Sequence, residues 1–371
     1  MEESYKICTR CIMDSSDSEI KLDERGICNN CRDYEENVRK KVFKGEEGQR
    51  RFNEIITKIR EDGNDKKYDC VIGVSGGVDS TYVMYLAKKK GLRPLAVHLD
   101  NGWDTKTAVK NVGRSIRKLD IDLYTYVIDW EEFKDFQLAY FKASVVDIEA
   151  ITDHAIKAAL YKAAGERGIK YILSGVNFET EGVMPRSWRH NKNDYANIRD
   201  IHNKFGKIKE KTFPFLTLKD WIKYRLLKGI KYIEILNYIP YNKEETKSIL
   251  KKELGWEDYS GKHGESMFTY FYQAYILPKK FNIDKRRAHL SSLIRSGQIS
   301  REKALEKMKE PLYTSENLKK DKEYVLRKLG FSEEEFEQLM KLPIKSHYDY
   351  KSNEKFLKSL RTIYNKIFGS T

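Results

Sequence analysis

The stretch Val71-Ile72-Gly73-Val74-Ser75-Gly76-Gly77-Val78-Asp79-Ser80 decides how this chain is read. Asp69 to Val74 is short and mostly apolar, as a strand buried on both faces must be. Gly76 and Gly77 then allow a tight turn and a close backbone approach to a ligand. From Asp79 the apolar positions Val78, Tyr82, Tyr85 and Leu86 recur at helical spacing until Gly91. Strand, glycine turn and helix together predict an anion site. Backbone N–H groups and the helix dipole face the ligand, and the hydroxyls of Ser75 and Ser80 add donors. An ordinary strand–turn–helix corner is the simpler alternative, and the six specific residues from Ser75 to Ser80 in that context argue against it.

No Gly-Lys-Ser/Thr closes the turn, so the pattern is not the Walker type. Ser75-Gly-Gly-Val-Asp-Ser80 resembles the pyrophosphate loop of the ATP pyrophosphatases. That resemblance implies cleavage of ATP between its α and β phosphates, adenylation of a carbonyl-type oxygen, and displacement of AMP by a nucleophile. It implies ATP contacts from Val74 to Ser80, Asp79 as a Mg²⁺ ligand, and catalytic roles for Ser75, Asp79 and Ser80.

Outward from the loop, residues 68–176 alternate strand and helix patterns. Strands are predicted at Asp69–Val74, Pro94–Leu99, Leu123–Ile128 and Tyr171–Ser174, with helices at Asp79–Lys90, Thr105–Leu119 and about Ile148–Arg167. Such alternation predicts an α/β fold built on a doubly wound parallel sheet, with ligands at the carboxyl ends of the strands. The loops at 75–80, 99–104 and 174–182 then converge. Asp100 is either a contact to ribose or metal or a plain turn residue, because Asp100-Asn101-Gly102 is a strong turn signal. His98 lies on the adenine side, Gly175 permits close approach of the nucleotide, and Glu179 or Glu181 offers a second carboxylate for Mg²⁺.

Before this region stand Cys8-Thr-Arg-Cys11 and Cys28-Asn-Asn-Cys31. Two Cys-x-x-Cys turns place four thiolates around one tetrahedral ion, and structural Zn²⁺ is the expectation, with an iron–sulfur cluster or chance pairs as the alternatives. Four ligands leave no open position for catalysis, and the ion supplies folding energy to a segment too short for a core of its own. Residues 36–67 read as a connecting helix carrying Phe52, Ile55, Ile56 and Ile59.

Beyond the sheet, residues 183–240 are irregular. Asn242-Lys-Glu-Glu245 opens a helix that Gly255 closes, and residues 256–371 are mostly helical. There Ser332 to Glu335 forms a capping box flanked by Phe331 and Phe336. The expected division is a four-cysteine zinc module at 1–40, the nucleotide domain at 41–255 and a helical region at 256–371.

With 371 residues, 40% hydrophobic and 34% charged, the chain suits a globular protein. The opening residues carry no apolar signal core and no run reaches the ~18 apolar residues of a span. Cytoplasmic location is the default expectation. The net charge of +14 raises nucleic acid as a partner. Much of the charge, such as Lys88-Lys89-Lys90, is explained as solvated helix surface. Cys70, the fifth cysteine, sits in the first strand, where a thiol is ordinarily inert packing. Sulfur transfer therefore lacks a carrier, ammonia becomes the expected nucleophile, and no glutaminase cysteine is available in this chain.

Taken together, Cys8-Thr-Arg-Cys11-Ile-Met-Asp14, the Ser75–Ser80 loop, Gly261-Lys-His263-Gly-Glu-Ser266 and Asp284-Lys-Arg-Arg-Ala-His-Leu-Ser-Ser-Leu-Ile-Arg-Ser-Gly297 resemble the N-acetyl sugar amidotransferase family. These are the WbpG-type proteins of lipopolysaccharide and nonulosonic-acid pathways, within the PP-loop superfamily and its HUP-like fold. The resemblance runs from about residue 5 to 315. It implies conversion of an acetamido sugar to an acetamidino sugar through an O-adenylyl imidate, with ammonia from a HisH-like glutaminase by way of a HisF-like conduit. It also implies that Lys262 and His263 act at the reacting centre and that Arg286, Arg287 and Arg295 bind the sugar's anionic groups. A tRNA-modifying enzyme, of lysidine-ligase or thiolase type, is the competing reading.

Overall fold

The structure, a computed structural model, describes residues 5–259, 264–354, 359 and 362. Its centre is a five-stranded, wholly parallel sheet: β1 (Cys70–Gly73), β2 (Pro94–Asp100), β3 (Asp122–Val127), β4 (Tyr171–Ser174) and β5 (Lys231–Glu234), in the order β3-β2-β1-β4-β5. The α/β doubly wound sheet expected from the alternation is the fold found. Alternate side chains of β1 show why both faces read apolar. Cys70 and Ile72 point into one core cluster and Val71 into the other.

Two helices precede the sheet, α1 (Asn29–Lys41) and α2 (Gly45–Asp62). The single connecting helix expected over 36–67 is thus broken at residues 42–44. Phe52, Ile56 and Ile59 of α2 pack on the sheet with α3 (Val78–Lys89) and α4 (Lys106–Leu119). The other face is covered by α6 (Ala150–Glu166), entered through α5 (Trp130–Ala143). Sequence reasoning missed α5. Nine of its residues are buried, and Glu132, Asp135 and Gln137 among them interrupt the apolar pattern that would reveal a helical period. It missed β5 as well, four residues of mixed polarity that pair with β4 alone.

The chain continues through the short α7 (Phe178–Glu181), α8 (Tyr195–Phe205), α9 (Leu218–Trp221) and α10 (Lys243–Leu254). Asn242 caps α10 by accepting from Glu244 N and Glu245 N, and Gly255 ends it in the left-handed region. Six helices finish the described chain: α11 (Met267–Phe271), α12 (Leu277–Phe281), α13 (Lys285–Arg295), α14 (Arg301–Lys309), α15 (Ser315–Leu329) and α16 (Glu333–Lys341). The Ser332–Glu335 capping box is present in both directions, and the Phe331 and Phe336 rings lie 6.4 Å apart.

One apolar cluster joins the four N-terminal cysteines and Met13 to α5, α8, α11, α13, α15 and α16. Three arginines tie the cysteine module to this helical region. Arg301 donates to the carbonyls of Cys8 and Cys11 at 3.0 Å each. Arg287 donates to Ile12 O at 3.0 Å and pairs with buried Asp14, and Arg295 pairs with Glu35. No helix among the described residues is long and apolar enough to cross a membrane.

Candidate active site

The loop from Val74 to Gly77 leaves β1 at the carboxyl edge and feeds directly into α3. Gly76 takes φ +81°, and a Cβ there would meet Ala108 O at 2.5 Å, so only glycine fits. Gly77 is the N-cap of α3 and provides no side-chain cap, which leaves the first-turn N–H groups of α3 directed at the loop's concavity. The hydroxyls hold the loop's shape. Gly77 N donates to Ser75 Oγ (3.3 Å), Ser80 Oγ donates to Gly77 O (3.2 Å), and Ser75 N reaches Ser80 Oγ at 3.4 Å.

At the other side of the switch point, Gly175 follows β4. A Cβ there would lie 2.8 Å from Asp79 C and 3.0 Å from Asp79 O. The glycine therefore serves close approach of two loops of this chain, β4's exit and α3's first turn. Asp79 accepts from the Tyr241 hydroxyl, and Lys243 Nζ lies 4.0 Å from its other oxygen. Burial, then the charges of Asp79 and Glu181, push the Tyr241 hydroxyl well up from its ordinary pKa. Glu181 thus faces the loop through Tyr241, whereas Glu179 is buried in an ion pair with Lys44.

On β2, His98 sets Nδ1 2.8 Å from Val74 O and Nε2 3.1 Å from Asp104 Oδ2. Burial opposes its charge, but Asp104 outweighs that and the pKa is raised. Asp100 accepts from Gly102 N at 2.9 Å, the turn geometry that its sequence context allows. His154 is buried between Lys192 O (2.9 Å) and Leu216 N (3.0 Å).

The segment after α10 crosses over the loop. Trp256 Nε1 donates to Gly76 O at 2.9 Å. A Cβ on Gly77 would meet Tyr259 Oη at 3.3 Å and Glu265 Oε1 at 3.9 Å, so both side chains stand above the phosphate cradle. The crossing is pinned to the exit of β2: Thr105 N donates to Glu265 O (2.9 Å), Thr105 Oγ1 to Gly264 O (3.1 Å) and Met267 N to Trp103 O (2.9 Å). Asp104 and Ser266 form an antiparallel bridge. Lys262 and His263 lie outside the described residues, four positions or fewer from these contacts.

The three arginines assigned to the sugar make contacts within the chain. Arg286 forks onto Asp284 and reaches Glu310 O at 2.7 Å, while Arg287 and Arg295 hold the N-terminal module as described. Sequence reasoning did not single out Tyr241, Trp256 or Asp104. Trp256 directly after the Gly255 cap was the one available signal.

The four N-terminal cysteines are fully buried, with all four sulfurs within 4.8 Å of one another. Cys8 Sγ is 3.9 Å from Cys31 Sγ and Cys11 Sγ is 3.7 Å from Cys28 Sγ. A tetrahedral Zn²⁺ with bonds of ~2.3 Å needs sulfurs about 3.8 Å apart, so the residues fit the ion. N–H groups of Arg10, Cys11 and Cys28 point at Cys8 Sγ at 3.3–3.4 Å, as suits a thiolate. The Cys11 thiol foremost, with the other two and the Cys11 N–H, draws the Cys8 pKa down. Gly26, at φ +73°, makes the turn into the second pair. Cys70 is fully buried apart from these four, and burial pushes its thiol up.

With this geometry in place, residues 265–364 match the family model described as "LPS biosynthesis protein WbpG-like, C-terminal domain". The match starts at the crossing segment and extends beyond residue 315, where the resemblance read from motifs stopped. No curated protein matches. Among solved structures, NMN synthetase from Francisella tularensis is similar at 16% identity, over 57% of this chain and 88% of that one, with a TM-score of 0.30. The NH3-dependent NAD synthetase from Campylobacter jejuni subsp. jejuni is similar at 15% identity, over 56% and 93%, with a TM-score of 0.29. The U34-tRNA thiolase NcsA from Methanococcus maripaludis, with its [4Fe-4S] cluster, is similar at 14% identity, over 81% and 88%, with a TM-score of 0.35. Likenesses this distant carry no argument about what this chain does.

Proposed function

We propose that this chain is an ATP-dependent, AMP-forming amidotransferase that converts the acetamido group of an N-acetylated sugar to an acetamidino group. One observation supports the reading: Glu265, the first residue of the WbpG-like match, stands over Gly77 of the Ser75–Ser80 loop, beside Tyr259 just before the match. An acceptor recognised by the matched segment would meet the α-phosphate of a nucleotide seated in the loop.

The leaving pyrophosphate takes the N–H groups at the start of α3 and the hydroxyls of Ser75 and Ser80 as its donors. Mg²⁺, held by Asp79 with Glu181 nearby, offsets phosphate charge when bound. The acetamido oxygen attacks the α-phosphorus, pyrophosphate departs and the amide N–H proton is lost to solvent, giving the O-adenylyl imidate. Ammonia adds to the imidate carbon and AMP leaves. A separate glutaminase and its conduit subunit supply the ammonia, since four of the five cysteines are committed to one cluster and the fifth is inert.

The test supplies ATP, Mg²⁺, ammonium and a panel of acetamido sugars, and looks for AMP with a product about one mass unit lighter. Ser80→Ala and Asp79→Asn abolish AMP formation while zinc content stays constant. The net charge of +14 and the cysteine module favour a second reading, a tRNA-modifying ligase. AMP release driven by tRNA, with none from any sugar, reverses the ranking.

A further inference from the structure

The amidotransferase reading leaves one chemical need unmet. When free ammonium takes the place of conduit-delivered ammonia, it has no lone pair to attack with, so a proton must be removed close to the phosphate loop. A group placed for this stands at the start of α6. A crossover helix leading into a parallel strand runs against the strands, so α6 begins at the carboxyl edge, the edge that carries the Ser75–Ser80 loop.

Glu149 is the residue immediately before α6. It is buried, and its side chain does not cap its own helix. Thr269 Oγ1 donates to Glu149 Oε2 at 2.5 Å and lies 3.0 Å from Ser266 Oγ. Ser266 is bridged to Asp104 and follows Glu265, whose carboxylate stands over Gly77. Hydrogen bonds thus link Glu149 through Thr269 to Ser266, the residue next to Glu265. Beside Glu149 is a charged cluster. Lys192 pairs with Asp153 and lies 3.5 Å from Asp147 Oδ2, and both Lys192 and Asp153 keep over a third of their side-chain surface open. The other oxygen of Asp147, Oδ1, is buried without a hydrogen-bond partner among the described residues, on a side chain only 5% exposed. A buried carboxylate oxygen left unpartnered is costly unless a donor visits it, and ammonium is a donor of the right size and charge.

We propose that Glu149 is the proton acceptor for the nitrogen nucleophile, with the unpartnered Asp147 Oδ1 as the acceptor that ammonium meets beside it. Ammonium gives one proton to the Glu149 carboxylate and becomes ammonia. Its lone pair forms the new C–N bond at the imidate carbon. The bond from that carbon to the adenylate oxygen breaks, and AMP leaves with the bonding pair. The three hydrogens of ammonia end on the two nitrogens of the amidinium, and Glu149 returns its proton to solvent. Burial foremost, with Asp153 and Asp147 facing it, raises the Glu149 pKa to about 7, against the opposing pull of Thr269 and Lys192. Lys285, on α13, faces the same group of acids. A base poised near the working pH is the efficient one.

The proposal rests on the amidotransferase reading, and a nucleophile swap separates the two. The full chain is given ATP, an acetamido sugar and either ammonium or hydroxylamine, which is already unprotonated at neutral pH. Glu149→Gln should lose about 100-fold or more of the ammonium-dependent rate and stay within a few-fold of wild type with hydroxylamine. Thr269→Val, which removes the donor that favours the charged carboxylate, should move the acid limb of the ammonium reaction to higher pH relative to wild type. Equal losses with both nucleophiles, an unaffected ammonium rate, or an unmoved acid limb in Thr269→Val overturns the assignment of Glu149 alone. A wild-type chain that makes no amidine from either nucleophile overturns the amidotransferase reading, and this proposal with it.

Discussion

Gly175→Ala tests whether the two sides of the switch point must touch for the site to work. In the wild type the chain after β4 approaches the first turn of α3 so closely that an added Cβ would sit 2.8 Å from Asp79 C, 3.0 Å from Asp79 Cβ and 3.0 Å from Asp79 O. All three atoms belong to the backbone or to its rigid Cβ, so no flexible side chain can swing away. To reach an ordinary 3.4 Å contact the two segments must part by about 0.6 Å. That displacement falls on the helix turn carrying Asp79 and Ser80. Overpacking of this kind costs ~1–3 kcal/mol, and a site is tolerant to only about 0.5 Å. We expect the midpoint of urea unfolding to fall accordingly and AMP formation at saturating ATP to drop between about 10- and 100-fold. Pyrophosphate release coupled to a dye assay reads the second quantity, and the unfolding curve reads the first. A Gly175→Ala enzyme with wild-type stability and turnover would refute the claim that this contact positions the loop. Gly168→Ala is not a suitable control, because that residue has φ +64° and would be strained in open space.

Other outcomes follow from the same structure. Cys28→Ala, or prolonged chelation, should release one equivalent of zinc and lower the melting temperature by several degrees, measured by metal analysis and calorimetry, because the module cannot fold without its ion. Cys70→Ala should retain AMP-forming activity within about two-fold while costing ~1 kcal/mol of stability from the lost buried sulfur; a collapse of activity with intact folding would revive a sulfur-carrier role. Glu132 accepts N–H groups from Lys211, Thr212 and Phe213. Burial works to raise its pKa, but these donors prevail and it is lowered. Its stabilisation is therefore complete above the unfolded value of about 4.3 and lost as pH falls through the lower folded value. Glu132→Gln should flatten the acid limb of the stability–pH curve there, and an unchanged limb would contradict that assignment.

What could be read in advance was whatever rests on local pattern. The phosphate loop, the strand at Tyr171–Ser174 and the four cysteines each announce themselves over short spans, because turn chemistry, a doubly buried strand and metal-ligand spacing are short-range constraints. The helix α5 does not, since its buried positions include Glu132, Asp135 and Gln137 among Phe133, Phe136 and Tyr140, which blurs the helical period. Nor does the pairing of charges. Arg287 and Arg295 looked free to bind an anion because nothing near them in sequence marks Asp14 and Glu35 as their partners. Glu149 was passed over for the converse reason. An acid before an alanine-rich helix reads as a cap, and only the fold shows that Thr269 arrives from the far side to hold it.

The placement of the arginines also says what kind of metal site the cysteines make. Arg301 binds the carbonyls of Cys8 and Cys11, and Arg287 binds Ile12 O and Asp14. These contacts fasten the first cysteine turn to α13 and α14. The α13 helix begins at Lys285, which faces Asp147 and Glu149. The cysteine module therefore braces the helix whose N-terminal end faces those acids. Each cysteine sulfur faces its three neighbours and is buried, so no ligand position is open to substrate. An ion held by these four sulfurs would fix the first cysteine turn against α13 and α14.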